Sequence, residues 1–115
     1  MANRRLFSKS VFYSDSFSEL DSEAIKLYVY LMLEADDDGF IGHTKRVLKM
    51  MDIDRDVLQT LKKRGLVLEF KSGVCLIVHW RKQNSIDRSG YTPTEFSLER
   101  SLVCLDDDVY RLIEA

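Results

Sequence analysis

Apolar positions crowd one stretch of the chain. From Ala24 to Ala35 the sequence reads AIKLYVYLMLEA, interrupted only by Lys26 and Glu34. A helix apolar on almost every side is expected to lie inside its domain, touched from several directions. Asp21 stands where an N-cap belongs, and Glu23 complements the helix dipole. Leu20 and Ile25 have staple spacing. Asp36, Asp37 and Asp38 follow, then Gly39, which is expected to supply the positive φ that ends the helix in a solvated turn.

Upstream, Val11, Phe12 and Tyr13 read as either a short strand or an extended arm, and Ser14 to Phe17 as the start of one helical turn. Downstream, Phe40 to Gly42 has room only for a small strand. Thr44 then caps a helix with Val47, Leu48 and Met51 on one face and Lys45, Arg46 and Lys49 away from it. Residues 52–54 form a turn, and Asp54 caps a further helix that stops at Gly65. Two short helices so joined have helix-turn-helix spacing. At about 100° per residue, Val57, Leu58 and Leu61 share the inner face of the second. Arg55, Gln59, Lys62 and Lys63 lie opposite, with Asp56 and Thr60 at the edge. After Gly65 the period changes. Leu66–Phe70 and Val74–Trp80 are β-rich, and Lys71-Ser72-Gly73 joins them as a hairpin.

This order predicts an α+β winged helix-turn-helix, with a three-helix core and the hairpin as its wing. Residues 1–115 form one domain: an N-terminal arm and short turn over 1–20, the core over 21–80, and a C-terminal extension over 81–115. Residues 81–96 are polar with interspersed aromatics and are expected to fold back over the domain. Thr94 caps a short helix through Arg100, and residues 101–113 read as either a hairpin or a helix.

Net charge is only −2, but its distribution is uneven. Lys45 to Thr92 carries eleven basic and five acidic residues, net +6, against net −8 for the remainder. A basic centre between acidic ends fits either solvated faces or a surface for an anionic partner. No apolar run is long enough to cross a membrane, and the N-terminus has no secretory-signal pattern. Cys75 and Cys104 sit among aliphatic neighbours and read as reduced packing residues of a cytoplasmic protein. The aspartate run fails as an EF-hand, because the twelfth position, counted from Glu34, is Lys45. His43 and His79 lack partners at metal-ligand spacing, and no phosphate loop or nucleophile elbow occurs. The expectation is a binding domain without metal or cofactor, not an enzyme.

Four stretches carry a family resemblance: Arg4-Arg5-Leu6-Phe7, Glu34 to Phe40, Ser72-Gly73-Val74 leading into His79-Trp80-Arg81, and Asn84, Ile86, Tyr91, Pro93 and Thr94. In these the chain resembles the N-terminal domain of phage replisome organizers, the DnaD-like replication initiation proteins of phages and prophages. The resemblance implies a winged helix that helps load a helicase or primosome at an origin. It also implies a second, helical domain, which these 115 residues do not include. The family pattern after the His-Trp-Arg triplet is more basic than residues 86–91 are here.

Two functional expectations follow. In the first, the helix at 54–64 enters the major groove of double-stranded DNA with Arg55, Gln59, Lys62 and Lys63, Lys71 and Arg81 contact phosphates, and Lys45 and Arg46 are also expected on the DNA. In the second, the domain is a protein–protein scaffold of a primosome, self-associating through the apolar residues between Leu102 and Ile113.

Overall fold

The computed structural model describes residues 4–85 and 90–113. The chain folds as an α+β domain. Two helical turns, α1 (Lys9–Phe12) and α2 (Asp15–Ser18), lead into α3 (Ser22–Glu34). The short β1 (Phe40–Ile41) is followed by α4 (Thr44–Met50) and α5 (Arg55–Lys63). Strands β2 (Val67–Glu69) and β3 (Cys75–Ile77) form a hairpin, then come α6 (Trp80–Gln83), α7 (Ser97–Ser101), β4 (Val103–Asp106) and β5 (Val109–Leu112). One sheet is antiparallel in the order β1-β3-β2, and β4 with β5 forms a second hairpin.

Helix α3 starts as its cap residues dictate, with the Ala24 amide donating to Asp21 Oδ1 at 3.0 Å. Its buried face, Ala24, Leu27, Tyr28, Leu31 and Met32, packs on α4 and α5. The helix is not surrounded on every side. Lys26, Tyr30 and Leu33 fall on one exposed stripe at helical spacing. In a domain this small, aliphatic density alone does not guarantee a neighbour on each face. Nor does Gly39 end the helix. Ala35 leaves it in an extended conformation, and Gly39, at φ 95°, shapes the turn into β1.

Local signals account for the next elements. Gly65, at φ 72°, closes α5 in a Schellman motif, with Leu66 N–H donating to Leu61 C=O at 3.0 Å and Gly65 N–H to Lys62 C=O at 3.1 Å. Helix α4 ends in the same motif, but its left-handed position is Asp52, at φ 53°. Ile53 N–H donates to Leu48 C=O at 3.0 Å there. Thr44 is not the cap of α4 but its buried first residue, preceded by His43.

Three segments differ from the sequence pattern. Val11–Tyr13 is neither strand nor arm but part of α1 and its end. Ser8 caps that turn, and Phe12 packs its ring on Phe7, Phe17 and Tyr28. Strand β3 stops at Ile77 rather than Trp80, because the chain turns to bury Trp80 beneath the aspartate turn. Residues 103–112 form a hairpin, not a helix, across Asp107 and Asp108 at φ 53° and 62°. Ile86 and Arg88, which the sequence reading used, lie outside the described residues.

The aspartate turn is the meeting point of the fold. It is not solvated: Asp37 and Asp38 are only 8% and 6% exposed. All six carboxylate oxygens accept hydrogen bonds. Asp36 takes the amides of Asp38 and Phe40 on one oxygen, both at 3.0 Å, and the Thr94 hydroxyl at 2.5 Å on the other. Asp37 takes Arg5 at 3.3 Å and the Thr92 amide at 2.9 Å. Asp38 takes the Arg81 guanidinium, the Tyr91 hydroxyl at 2.8 Å and the Thr94 amide at 2.8 Å. The carbonyls are engaged too: Trp80 Nε1 donates to Asp37 C=O at 2.9 Å and the Tyr110 hydroxyl to Asp38 C=O at 2.8 Å. The arm is secured beside the turn, where Leu6 N–H donates to Asn84 Oδ1 at 2.9 Å and Ser8 N–H to Gln83 Oε1 at 3.0 Å.

Two stability outcomes follow. A Cβ on Gly39 would lie 2.6 Å from Trp80 Cγ at a φ of 95°. Gly39→Ala is therefore expected to cost about 3 kcal/mol, from overpacking and backbone strain together, measured by urea unfolding. Asp52→Gly removes a left-handed non-glycine residue, and is expected to stabilise by about 1 kcal/mol, seen as a higher urea midpoint at unchanged slope.

Candidate nucleic-acid interface

The cationic surface is built by α4, α5 and the β2–β3 loop. Helix α5 buries Leu58 and Leu61 against α3 and turns its charged residues outward. The β2–β3 loop is fixed at both ends. Phe70 N–H donates to Val74 C=O at 2.9 Å, and Gly73, at φ 90°, makes the tight return. The Ser72 hydroxyl donates to the buried Glu99 carboxylate of α7 at 2.7 Å, which ties the loop to the C-terminal extension. Lys71 is thereby held outward at the tip.

An open groove of about 460 Å³ runs where the starts of α4 and α5 meet this loop. Lys45, Arg55 and Lys71 line it, beside His43, Thr44 and Glu69. Arg46 and Lys49 are exposed on α4, and Lys63 on α5. Among the described residues, Lys45, Arg46, Lys49, Lys63 and Lys71 have no carboxylate within ion-pair distance. They are therefore open to an external anion.

Arg55 and Lys62 are differently placed. Glu69, at the end of β2, accepts from Arg55 Nη2 at 2.6 and 2.7 Å and from Lys62 Nζ at 2.8 Å. The Arg55 hydrogen bond is the main reason the Glu69 carboxyl titrates below its ordinary range, with partial burial opposing and Lys62 assisting. The same bond raises Arg55 further above its already high value. Gln59 is half-buried, and Asp56 remains exposed on the same helix, where it opposes a polyanion.

Arg81 does not join this surface. Its side chain is 7% exposed and ion-paired to Asp38, and it also donates to Asn84 C=O at 3.3 Å. A phosphate cannot reach it without dismantling the aspartate turn. Arg5 is likewise committed, donating to Ala35 C=O at 2.7 Å and to Asp37. Of the eight residues expected on DNA, Lys45, Arg55 and Lys71 thus share one groove. Lys62 is joined to Arg55 through Glu69, Arg46 and Lys63 stand exposed nearby in sequence, Gln59 is half-buried, and Arg81 is held inward. Glu69 was the missed participant. Its only signal was an acid closing a strand opposite a basic helix face.

Comparison of the chain with protein-family models, curated proteins and solved structures returns no match. No helix among the described residues is long and apolar enough to cross a membrane.

The two classes of arginine and lysine are separable by stability. Arg81→Met leaves Asp38 buried without its cation, and is expected to cost about 3–5 kcal/mol. Lys71→Ala is expected to change stability by less than about 0.5 kcal/mol. Chemical denaturation of the two variants side by side measures both.

Proposed function

We propose that this domain is a winged-helix DNA-binding module, of the kind that opens replisome-organizer replication initiation proteins. The order α3, β1, α4, α5, β2, β3 with a β1-β3-β2 antiparallel sheet supports the winged-helix reading. In it, α4 and α5 are the helix-turn-helix, α5 is the reading helix and the β2–β3 hairpin is the wing. The observation that carries the DNA reading is the groove lined by Lys45, Arg55 and Lys71. It joins both helices and the wing in one cationic surface, as a phosphate backbone requires. The module performs no chemistry of its own in this reading. It positions DNA for helicase-loading or primosome partners.

Self-association is a second reading with its own observation. On the β4–β5 hairpin, Val103 and Tyr110 face inward and are buried, while Leu102, Leu105, Leu112 and Ile113 remain exposed. A second copy of the chain is the simplest cover for them. Sedimentation as a monomer at high concentration contradicts this second reading and leaves the first intact.

Titration of labelled duplex and single-stranded DNA at several salt concentrations tests the DNA reading. Affinity for the duplex is expected to fall linearly with log salt. Reversing Lys45 and Lys71 to Glu is expected to weaken binding at least tenfold and flatten the salt slope by roughly 1.8, about 0.9 for each phosphate lost. Binding that ignores both salt and the double reversal contradicts this function.

A further inference from the structure

We infer that Arg55 and Lys62 form a latent phosphodiester site that Glu69 holds closed, so that DNA backbone binds there by displacing an internal carboxylate. The inference rests on the DNA-binding function above and assigns one of its phosphate contacts.

The geometry is that of a competed site. Both Arg55 hydrogen bonds leave from one nitrogen, Nη2, and end on the two oxygens of Glu69. Lys62 Nζ completes the same carboxylate at 2.8 Å. A carboxylate between a guanidinium and an ammonium occupies the place that an anionic phosphate oxygen would take. The closing group is nearly enclosed and the site is not: Glu69 is 11% exposed by its side chain, Arg55 47%. The remaining guanidinium nitrogens of Arg55 make no hydrogen bond among the described residues. Arg55 itself lines the groove that also holds Lys45 and Lys71. In the exchange, a phosphate entering that groove takes these nitrogens while Arg55 is still on Glu69. Transfer of Nη2 and Lys62 Nζ from carboxylate to phosphate then completes the site.

Electrostatics gives the exchange a direction. With Glu69 in place the three side chains carry a net charge of one rather than two, so the reading helix enters its encounter with DNA partly neutralised. Replacing an internal ion pair by phosphate contacts releases counterions from the DNA, and salt therefore opposes it. The closed site lowers general affinity for polyanions. It also reserves part of the binding strength for backbone that reaches the groove beside Arg55.

The test uses the whole chain and a labelled duplex of random sequence, titrated at four salt concentrations. Glu69→Gln keeps the side-chain shape and removes the competing charge. It is expected to bind about tenfold more tightly near 0.1 M salt, with a slope within about 0.3 of the wild type, because both contact the same phosphates. Asp107→Asn removes the same charge from the turn of the C-terminal hairpin, and is expected to change the affinity by less than about twofold. Where Glu69→Gln does not fold, Glu69→Asp withdraws the carboxylate by one methylene and is expected to tighten binding in the same direction, by about threefold. Salt-dependent wild-type binding with both Glu69 variants unchanged or weaker overturns the inference alone, weaker binding making Glu69 a support for Arg55 instead. Wild-type binding that is absent or insensitive to salt removes the DNA reading and this inference with it.

Discussion

Segments distant in sequence meet at three consecutive aspartates, of which Asp37 and Asp38 are buried. Burying carboxylates is costly unless each is paired and hydrogen-bonded, and here every oxygen has a donor. The donors come from the N-terminal arm, from the helix after the first hairpin, and from the segment at 91–94. Tyr110 of the second hairpin attaches through the Asp38 carbonyl, and burial pushes its phenol up to about 12. Leaving out Arg81 would strand the Asp38 charge and leaving out Arg5 that of Asp37, which couples these segments to the turn. The turn also sets the length of β3, since Trp80 must leave the strand to lie against Gly39.

Most of the α3 to β3 region was legible because its signals are local. Asp21 caps, Gly65 terminates, and Gly73 closes a three-residue loop, each acting within a few residues of itself. The aspartate turn was not legible in the same way. Three consecutive acids read as solvated until their partners are known, and Arg81, Tyr91 and Thr94 lie more than 40 residues further along. Burial on Asp38 takes Arg81 away from the surface, and no local signal announces it. Asp107-Asp108 in a two-residue turn shows the same limit. Nothing in an acidic tripeptide distinguishes a hairpin from a helix start until β5 finds Val78, to whose carbonyl the Tyr110 amide donates.

A division of labour between two sets of residues results. Arg5, Asp36–Gly39, Trp80-Arg81, Tyr91 and Thr94 build the aspartate junction. They speak to architecture. The cations that would face DNA lie elsewhere, on α4, α5 and the hairpin loop, and their charge is tempered by Glu69 and Asp56. A modest total charge is thus compatible with a local cationic groove. The link between the two sets is mechanical. Ser72 of the loop is tied to Glu99, which lies between the Asp36-bonded Thr94 and the hairpin that reaches Asp38.

The central claim, that the aspartate turn binds the arm, the 91–94 segment and the second hairpin into one cooperative unit, is tested most directly by native-state hydrogen exchange. The informative amides are those of Thr92 and Thr94, which donate to Asp37 and Asp38, and of Tyr110, which donates to Val78. If they open as one unit, all three exchange with the same free energy and the same denaturant dependence, close to those of global unfolding. Fast exchange of Thr92 and Thr94 while Tyr110 stays protected would contradict the account.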